Sequence, residues 1–188
     1  EPTAVNGEWV KAPGHALFSA VRDALGGDLP IIAEDLGIIT PEVEALRDEF
    51  GFPGMKVLQF ALDSLDEGSS LPHRYTSPVC VCYTGTHDND TTRSWYQMLR
   101  PECRDKVRRY THCSDDTHFP LDLIGTALAS VAAYAIFPLQ DVLCVGAEGR
   151  MNTPGVGAGN WSWRYQQSAL KGELADELRG MTTLYGRY

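Results

Sequence analysis

Two short apolar segments of this 188-residue chain end abruptly in acidic residues. Residues 29–33, Leu-Pro-Ile-Ile-Ala, are followed by Glu34 and Asp35, and residues 79–84, Val-Cys-Val-Cys-Tyr-Thr, lead into a loop that contains His87 and Asp88. Short segments that are apolar on both faces are typical of parallel strands covered by helices. A charge placed directly after a buried strand costs desolvation free energy, so its presence there indicates a function.

Helical patterns separate the apolar segments. Helices are predicted from Gly14 to the Gly26–Gly27 pair, from Pro41 to the turn before Gly51, and over residues 91–99, 102–110, 121–137 and 173–185. Strands are predicted at residues 29–33, 55–60, 79–84 and 139–143. This alternation predicts an α/β fold with a parallel sheet. Because so few strands cannot close an eight-stranded barrel, the chain forms either a small open sheet or a piece of something larger.

The composition excludes several classes of partner. Acidic residues outnumber basic ones 25 to 16, which gives a formal net charge of −9 and argues against nucleic acid as a partner. A neutral substrate such as a sugar is compatible with that charge. The most apolar long stretch, residues 121–139, is interrupted by Asp122, Gly125 and Pro138. It is therefore interpreted as a buried helix, and no membrane partner is expected.

The five cysteines do not form the spacing of a zinc site or an even disulfide set. Cys80 and Cys82 lie two apart in an apolar segment, so they are predicted to be reduced core residues on one face of a strand. That prediction favours a reducing compartment such as the cytoplasm. No phosphate-binding loop and no nucleophile elbow occurs, and no cofactor is expected.

The acids at the strand ends suit glycosidic bond chemistry. In a βα barrel, residues at the carboxyl ends of the strands face a common active-site mouth. Cleavage of a glycosidic bond needs one protonated carboxyl group and at least one carboxylate near the developing positive charge. Two alternatives stay open. Asp35 or Asp90 could cap the following helix, and the acids together with His87 could bind Mg²⁺, Mn²⁺ or Zn²⁺, although no metal-binding spacing is present.

Aromatic residues alternate near the end of the chain. Trp161, Trp163 and Tyr165 would share one face if the segment were extended. Such a face suits the apolar side of a sugar ring, and the alternative is a packed core strand.

Six motifs in sequence order resemble the amylomaltase family, which is glycoside hydrolase family 77 of the α-amylase superfamily. They are IIAEDLG at residues 31–37, PGMKVLQF at 53–60, YTGTHDNDT at 83–91, PLQD at 138–141, RMNTPG at 150–155 and GNWSWR at 159–164. The resemblance extends over essentially the whole chain. It implies a (β/α)8 TIM barrel and a 4-α-glucanotransferase, an enzyme that transfers α-1,4-glucan segments to the 4-hydroxyl of an acceptor by a retaining double displacement.

The resemblance also implies roles for individual residues. Glu34 matches the general acid/base at the end of the fifth barrel strand, and Asp88 matches the aspartate that stabilises the transition state after the seventh strand. His87 matches a contact to sugar hydroxyls at the −1 subsite. Asp35, Asn160 and Trp161 are carried over as further substrate contacts. The expected partner is a maltooligosaccharide, and no metal or other cofactor is implied.

One family motif is absent from the chain. The family's nucleophile is an aspartate in an R-x-D motif on the fourth strand, upstream of the acid/base, and this sequence contains no R-x-D. We therefore expect residues 1–188 to be the C-terminal portion of a single catalytic barrel domain whose first half is missing. The isolated chain is expected to be an inactive, glucan-binding fragment. A hydrolase or debranching enzyme of the same superfamily is the other alternative.

Overall fold

The computed structural model describes residues 5–63 and 70–187. The chain forms two compact units, Glu1–Gly54 and Met55–Tyr188. They are described separately.

From residue 5 onward the first unit contains two helices, and both confirm the sequence prediction. Helix α1, Gly14–Leu25, ends where Gly26 adopts a positive φ of 75° and donates its N–H to the carbonyl of Arg22. Helix α2, Pro41–Glu49, has Thr40 in the N-cap position and Pro41 at its first position. The early proline fits because the first N–H groups of a helix have no partner within it.

The prediction of a strand at residues 29–33 is wrong. The segment makes one backbone hydrogen bond to a distant residue, from Ala33 N–H to the carbonyl of Pro53 at 2.9 Å. A strand needs a ladder of such bonds with a neighbouring strand, and this ladder is not formed within the described residues. Leu29 is buried, while Ile32 is 45% exposed.

Three phenylalanines of the first unit form a cluster of aromatic contacts. The ring of Phe18 on α1 lies 5.0 Å from that of Phe52 and 5.5 Å from that of Phe50, and Phe50 lies 5.7 Å from Phe52. Pairs at these separations each add about 0.5–1.5 kcal/mol beyond the burial of their surface. They join α1 to the residues that follow α2.

A three-stranded sheet lies at the centre of the second unit. Its strands are β1 (Gly54–Val57), β2 (Cys80–Tyr83) and β3 (Tyr134–Ile136), in the order β1-β2-β3. Strands β2 and β3 are parallel, with Val81 opposite Tyr134 and Tyr83 opposite Ile136. The parallel pairing confirms the predicted α/β class.

Six further α-helices accompany the sheet among the described residues. They are α3 (Leu58–Asp63), α4 (Thr92–Met98), α5 (Pro101–Thr111), α6 (Phe119–Leu128), α7 (Leu139–Val142) and α8 (Gly172–Leu184). Helices α4, α5 and α8 confirm the prediction to within two residues. The core of this unit lies between the sheet and helices α3 to α6, around Leu58, Leu62, Tyr96, Val107 and Phe119.

Three predicted elements of this unit are wrong in type or length. Residues 58–60 begin helix α3 and do not extend β1, and the strand predicted at 139–143 is replaced by the short helix α7, Leu139–Val142. The helix predicted over 121–137 ends at Leu128, and residues 134–136 form β3. Short apolar segments fit a buried helix and a buried strand equally well, because both bury every side chain.

A distant arginine explains where α6 ends. Arg187 donates hydrogen bonds to the carbonyls of Leu128, Ser130 and Ala132 at 2.7–2.9 Å. The bond to Leu128 supplies a partner for a carbonyl group that the helix end leaves unpaired, and the other two bonds hold the chain that follows the helix.

The cysteines are free thiols, and four of the five are buried. Cys80 and Cys82 are core residues of β2, as predicted, and burial raises the pKa of the Cys82 thiol. In the part of the chain that the structure describes, no helix is long and apolar enough to cross a membrane.

Candidate active site

A tight loop follows β2 and carries His87 and Asp88. Asn89 accepts hydrogen bonds at its Oδ1 from both the N–H and the hydroxyl of Thr86, each at 2.8 Å, and donates its own N–H to the Thr86 carbonyl. The N–H of Asp88 donates to the Thr86 hydroxyl at 3.3 Å. Because Thr86 and Asn89 close the loop on itself, the two residues between them, His87 and Asp88, are turned outward and are exposed.

The carboxylate of Asp88 is held by its neighbours while it stays accessible. The side-chain amide of Asn152 donates to Asp88 Oδ1 at 2.5 Å, and Nε2 of His87 lies 3.3 Å from the same oxygen. Arg150 donates from Nη2 to the backbone carbonyl of Asp88 at 3.1 Å. The side chain remains 47% exposed. It can therefore contact a ligand in a fixed orientation.

Residues 150–152 are a part of this site to which the sequence analysis gave no role. Arg150 donates from Nε to the carbonyl of Asn152 at 3.0 Å, and the N–H of Asn152 donates to the carbonyl of His87 at 3.1 Å. The segment therefore supports both the backbone and the side chain of the His87–Asp88 pair. The signal that could have identified it is the RMNTPG motif, which was used only for the family resemblance.

Trp161 lies beside His87 in an unusual backbone conformation. Its φ is 60°, in the left-handed region, and its N–H donates to the carbonyl of Met151 at 2.7 Å. Its ring centroid is 5.1 Å from that of His87, and the residue is 54% exposed. A positive φ is uncommon for a bulky residue and is found most often at functional sites.

The predicted face of three alternating aromatic side chains is not formed. The left-handed conformation of Trp161 interrupts the extended chain on which the alternation depends. Trp161 approaches His87, whereas Trp163 and Tyr165 form a separate pair with ring centroids 6.4 Å apart.

Asn160 organises the loop that precedes Trp161. Its Oδ1 accepts the N–H of Thr153 at 3.0 Å, and its Nδ2 donates to the carbonyl of Val156 at 2.8 Å. The side chain thus closes the loop between 153 and 160. These bonds fix the position of the backbone directly before Trp161.

Asp90 lies at the start of helix α4. Its carboxylate accepts the N–H of Thr91 at 2.8 Å and the hydroxyl of Ser94 at 2.7 Å, and Thr91 itself caps the helix by accepting the N–H of Ser94. These contacts favour a structural role for Asp90 at the start of the helix over a role in the reaction.

Glu34 and Asp35 belong to the first unit. Glu34 is exposed, whereas the side chain of Asp35 is only 8% exposed and its Oδ2 lies 2.5 Å from Nη1 of Arg47. Arg47 also donates to Asp48 at 2.8 Å. Although burial opposes the charge, the hydrogen bonds to Asp48 and Asp35 hold the pKa of Arg47 above its ordinary value. The carboxylate of Asp35 is thus engaged in an ion pair with Arg47 of helix α2, and its predicted contact with substrate stays a prediction.

The site residues do not gather as metal ligands. Within residues 5–63 and 70–187, the structure contains no group of three or more histidine, cysteine, aspartate or glutamate side chains that could hold a metal ion. The arrangement around Asp88 instead combines an accessible carboxylate, an imidazole, amide donors and an aromatic ring. That set suits a neutral polyhydroxylated ligand with an apolar face.

The chain is similar to proteins of known family. Residues 1–170 match the family model described as 4-alpha-glucanotransferase. The 4-alpha-glucanotransferase of Synechocystis is 54% identical over 187 residues, which cover 100% of this chain, and that of Thermus thermophilus is 49% identical over 186 residues, 96% of the chain. The chloroplastic/amyloplastic 4-alpha-glucanotransferase of Solanum tuberosum is 44% identical over 190 residues.

A solved structure is similar in fold. The amylomaltase from Streptococcus agalactiae in complex with acarbose matches with a TM-score of 0.93 and 35% identity, over 100% of this chain and 38% of that one. The chain spans about 37% of the length of the curated relatives from Synechocystis and Thermus thermophilus.

Proposed function

Because this chain belongs to glycoside hydrolase family 77, the 4-alpha-glucanotransferases, we propose that it supplies the C-terminal part of the catalytic barrel of a retaining 4-α-glucanotransferase. The observation that carries the proposal is the setting of Asp88, an accessible carboxylate at the end of a parallel strand, held by Asn152 and flanked by His87 and Trp161.

In the proposed reaction Glu34 is the general acid and then the general base. Its exposed carboxyl group is free of the buried ion pair that engages its neighbour Asp35. In the first step the bond between the anomeric carbon and the leaving glucan breaks, and the proton of Glu34 passes to the leaving oxygen. The anomeric carbon forms an ester with a carboxylate supplied by another part of the polypeptide. In the second step Glu34 takes the proton of the acceptor 4-hydroxyl, which attacks the ester and regenerates that carboxylate.

Asp88 acts on the sugar that reacts. A carboxylate held through one oxygen can accept hydrogen bonds from two neighbouring hydroxyl groups with little loss of entropy on binding. The negative charge of Asp88 stabilises the positive charge that develops at the anomeric carbon. Its contribution is therefore larger in the transition state than in the ground state. Asn152 and His87 keep the carboxylate in one orientation for both steps.

Trp161 and Asn160 have different parts in the proposed substrate site. The exposed ring of Trp161 provides a flat surface for the apolar face of a glucose unit. The side chain of Asn160 is bonded within its own loop, so it acts by placing Trp161. Asp35 acts in a similar way on Glu34, because its ion pair with Arg47 fixes the backbone beside the acid.

The proposed substrate is an α-1,4-glucan or maltooligosaccharide. The amylomaltase from Streptococcus agalactiae, which resembles this chain in fold, was solved in complex with acarbose. The net charge of −9 is compatible with a neutral sugar and unfavourable for a phosphate-bearing ligand. The free cysteines and the chloroplastic/amyloplastic potato relative support action in the cytoplasm or the plastid stroma.

The proposal is tested by incubating the full-length protein with maltotriose. A transferase produces glucose together with oligosaccharides longer than maltotriose, whereas a hydrolase produces only shorter sugars. Addition of a chelator should leave transfer unchanged, because the proposed steps use carboxyl groups alone. The 188-residue chain by itself should release no glucose. Absence of longer products from the full-length protein would overturn the proposal.

A further inference from the structure

A buried carboxylate lies beneath the loop that carries Asp88. Asp141 on helix α7 is only 1% exposed. Its Oδ2 accepts the hydroxyls of Thr84 at 2.6 Å and Thr92 at 2.8 Å, and its Oδ1 accepts the N–H of Thr92 at 3.0 Å. Taking an ionised carboxylate out of water is costly unless its oxygens are bonded, and here uncharged groups supply the bonds.

The two threonines mark the ends of the Asp88 loop. Thr84 is the residue directly after β2, and Thr92 is the first residue of α4. Both are fully buried. The seven residues between them include His87 and Asp88. A single carboxylate from a different part of the chain therefore joins the point where this loop leaves the sheet to the point where it enters the helix.

Gln59 holds the same two ends of the loop from the side of β1, the other strand next to β2. It follows β1, and its N–H donates to the carbonyl of Thr84 at 3.2 Å. Its Nε2 donates to the hydroxyl of Thr92 at 3.2 Å and to the carbonyl of Asp90 at 3.1 Å. A Cβ added at Gly85 would lie only 2.6 Å from that nitrogen, so the loop packs directly against the amide.

We propose that Asp141 is a positioning residue for the reaction. It acts by fixing both ends of the loop that presents Asp88. The proposal rests on the function proposed above for Asp88. Neither Asp141 nor its threonine partners reach the substrate, since all three are buried. Their effect on the reaction passes through the position of the Asp88 carboxylate.

The chemistry of the network requires an acceptor at position 141. The Thr92 hydroxyl accepts a hydrogen bond from Gln59 and donates its own proton to Asp141. An asparagine amide in place of Oδ2 would present a second donor to that hydroxyl. The hydroxyl proton would then lose its acceptor, and the two ends of the loop would separate.

The test is a double-mutant cycle in the full-length enzyme, with transfer from maltotriose as the readout. Asp141→Asn should lower kcat by about 100-fold, the cost of a misplacement near 1 Å, while KM stays within about threefold. In the Asp88→Asn background the same substitution should change kcat by less than about threefold, because the residue through which it acts is already impaired. Thr111→Val, which removes a buried hydroxyl bonded within helix α5, should leave kcat unchanged.

A second pair of variants keeps the test independent of the folding of Asp141→Asn. Thr84→Val removes one donor to the carboxylate, and Thr84→Ser retains it. The valine variant should lose kcat and the serine variant should recover it. Equal activity of the two variants would overturn the proposal, as would independent, multiplicative effects of Asp141→Asn and Asp88→Asn. If Asp88→Asn itself left transfer unchanged, the role proposed for Asp88 would fail first, which is a separate result.

Discussion

The side-chain amide of Asn152 donates a hydrogen bond to Oδ1 of Asp88 across 64 positions of the sequence. The bond joins the loop after β2 to a segment that has no regular secondary structure. Hydrogen bonds to an ionised group are the strong ones in proteins, so this contact determines how the carboxylate is presented. The interpretation of Asp88 as a substrate-binding acid depends on that orientation.

Removal of the amide should therefore impair the reaction without unfolding the protein. In the full-length enzyme, Asn152→Ala should lower kcat/KM for transfer from maltotriose by about 10- to 100-fold, the equivalent of one charge-assisted hydrogen bond. Gln97→Ala, at an exposed position of α4, is the matched control and should behave as wild type. Wild-type transfer by Asn152→Ala would show that the orientation of Asp88 does not depend on this bond.

Two substitutions of Trp161 distinguish the strain of its backbone from the contacts of its ring. Its φ of 60° is accessible to glycine without steric cost but is unfavourable for alanine. The free energy of unfolding of Trp161→Gly should therefore exceed that of Trp161→Ala by about 1 kcal/mol in urea titrations. Both variants should raise KM for maltotriose, because both lose the ring. A more stable alanine variant would contradict a strained backbone at this position.

Gly54 is required for the ion pair beside Glu34. A Cβ at this position would overlap the carboxylate of Asp35 and lie 3.0 Å from Nη1 of Arg47. Gly54→Ala should destabilise the full-length protein by about 1–3 kcal/mol, the usual cost of overpacking. Gly27→Ala is the control, since a methyl group there meets no atom within 4 Å. Thermal unfolding of the two variants measures the difference, and equal melting temperatures would refute the requirement.

The buried Asp141 should make stability depend on pH in a defined direction. Burial raises the pKa of its carboxyl group, against the opposing effect of the hydrogen bonds from Thr84 and Thr92. A raised pKa in the folded state stabilises the fold fully below the ordinary aspartate value of about 4, and this contribution is lost as pH rises through the raised value. The free energy of unfolding of wild type relative to Asp141→Asn should therefore fall as pH increases above about 4. Urea titrations over this range test the sign, and a difference that grows with pH would contradict it.

Local signals in the sequence predicted the end of α1, the start of α2 and the acidic loop after β2. Thr40 and Pro41 start α2, and Gly26 ends α1, because capping and positive φ are properties of single residues and their immediate neighbours. The position of Asp88 after a buried strand could be predicted for the same reason, since the acid follows the last residue of β2 by only five positions.

The remaining features depend on contacts between distant residues. The end of α6 is bonded to Arg187, which lies 59 positions from Leu128. The sequence of the helix itself therefore does not predict where the helix ends. The strand predicted at 29–33 lacks a pairing partner among the described residues. Asn152 and Asp141 act on the Asp88 loop from 64 and 49 positions away. Their roles become visible only once the chain is folded.

The central claim, that Glu34 and Asp88 have different roles in a retaining transfer, Glu34 moving the proton and Asp88 stabilising the reacting sugar, is tested by comparing two donors in the full-length enzyme. A glucan donor needs a proton for its leaving oxygen, whereas an α-maltosyl fluoride does not. Glu34→Gln should lower transfer from maltotriose by about 1,000-fold or more and consumption of the fluoride far less, while Asp88→Asn should impair both donors alike. Glu44→Gln and Asp105→Asn, at exposed helical positions, should behave as wild type. Wild-type transfer from maltotriose by Glu34→Gln would contradict the assignment. So would an equal loss of activity of Glu34→Gln with the two donors.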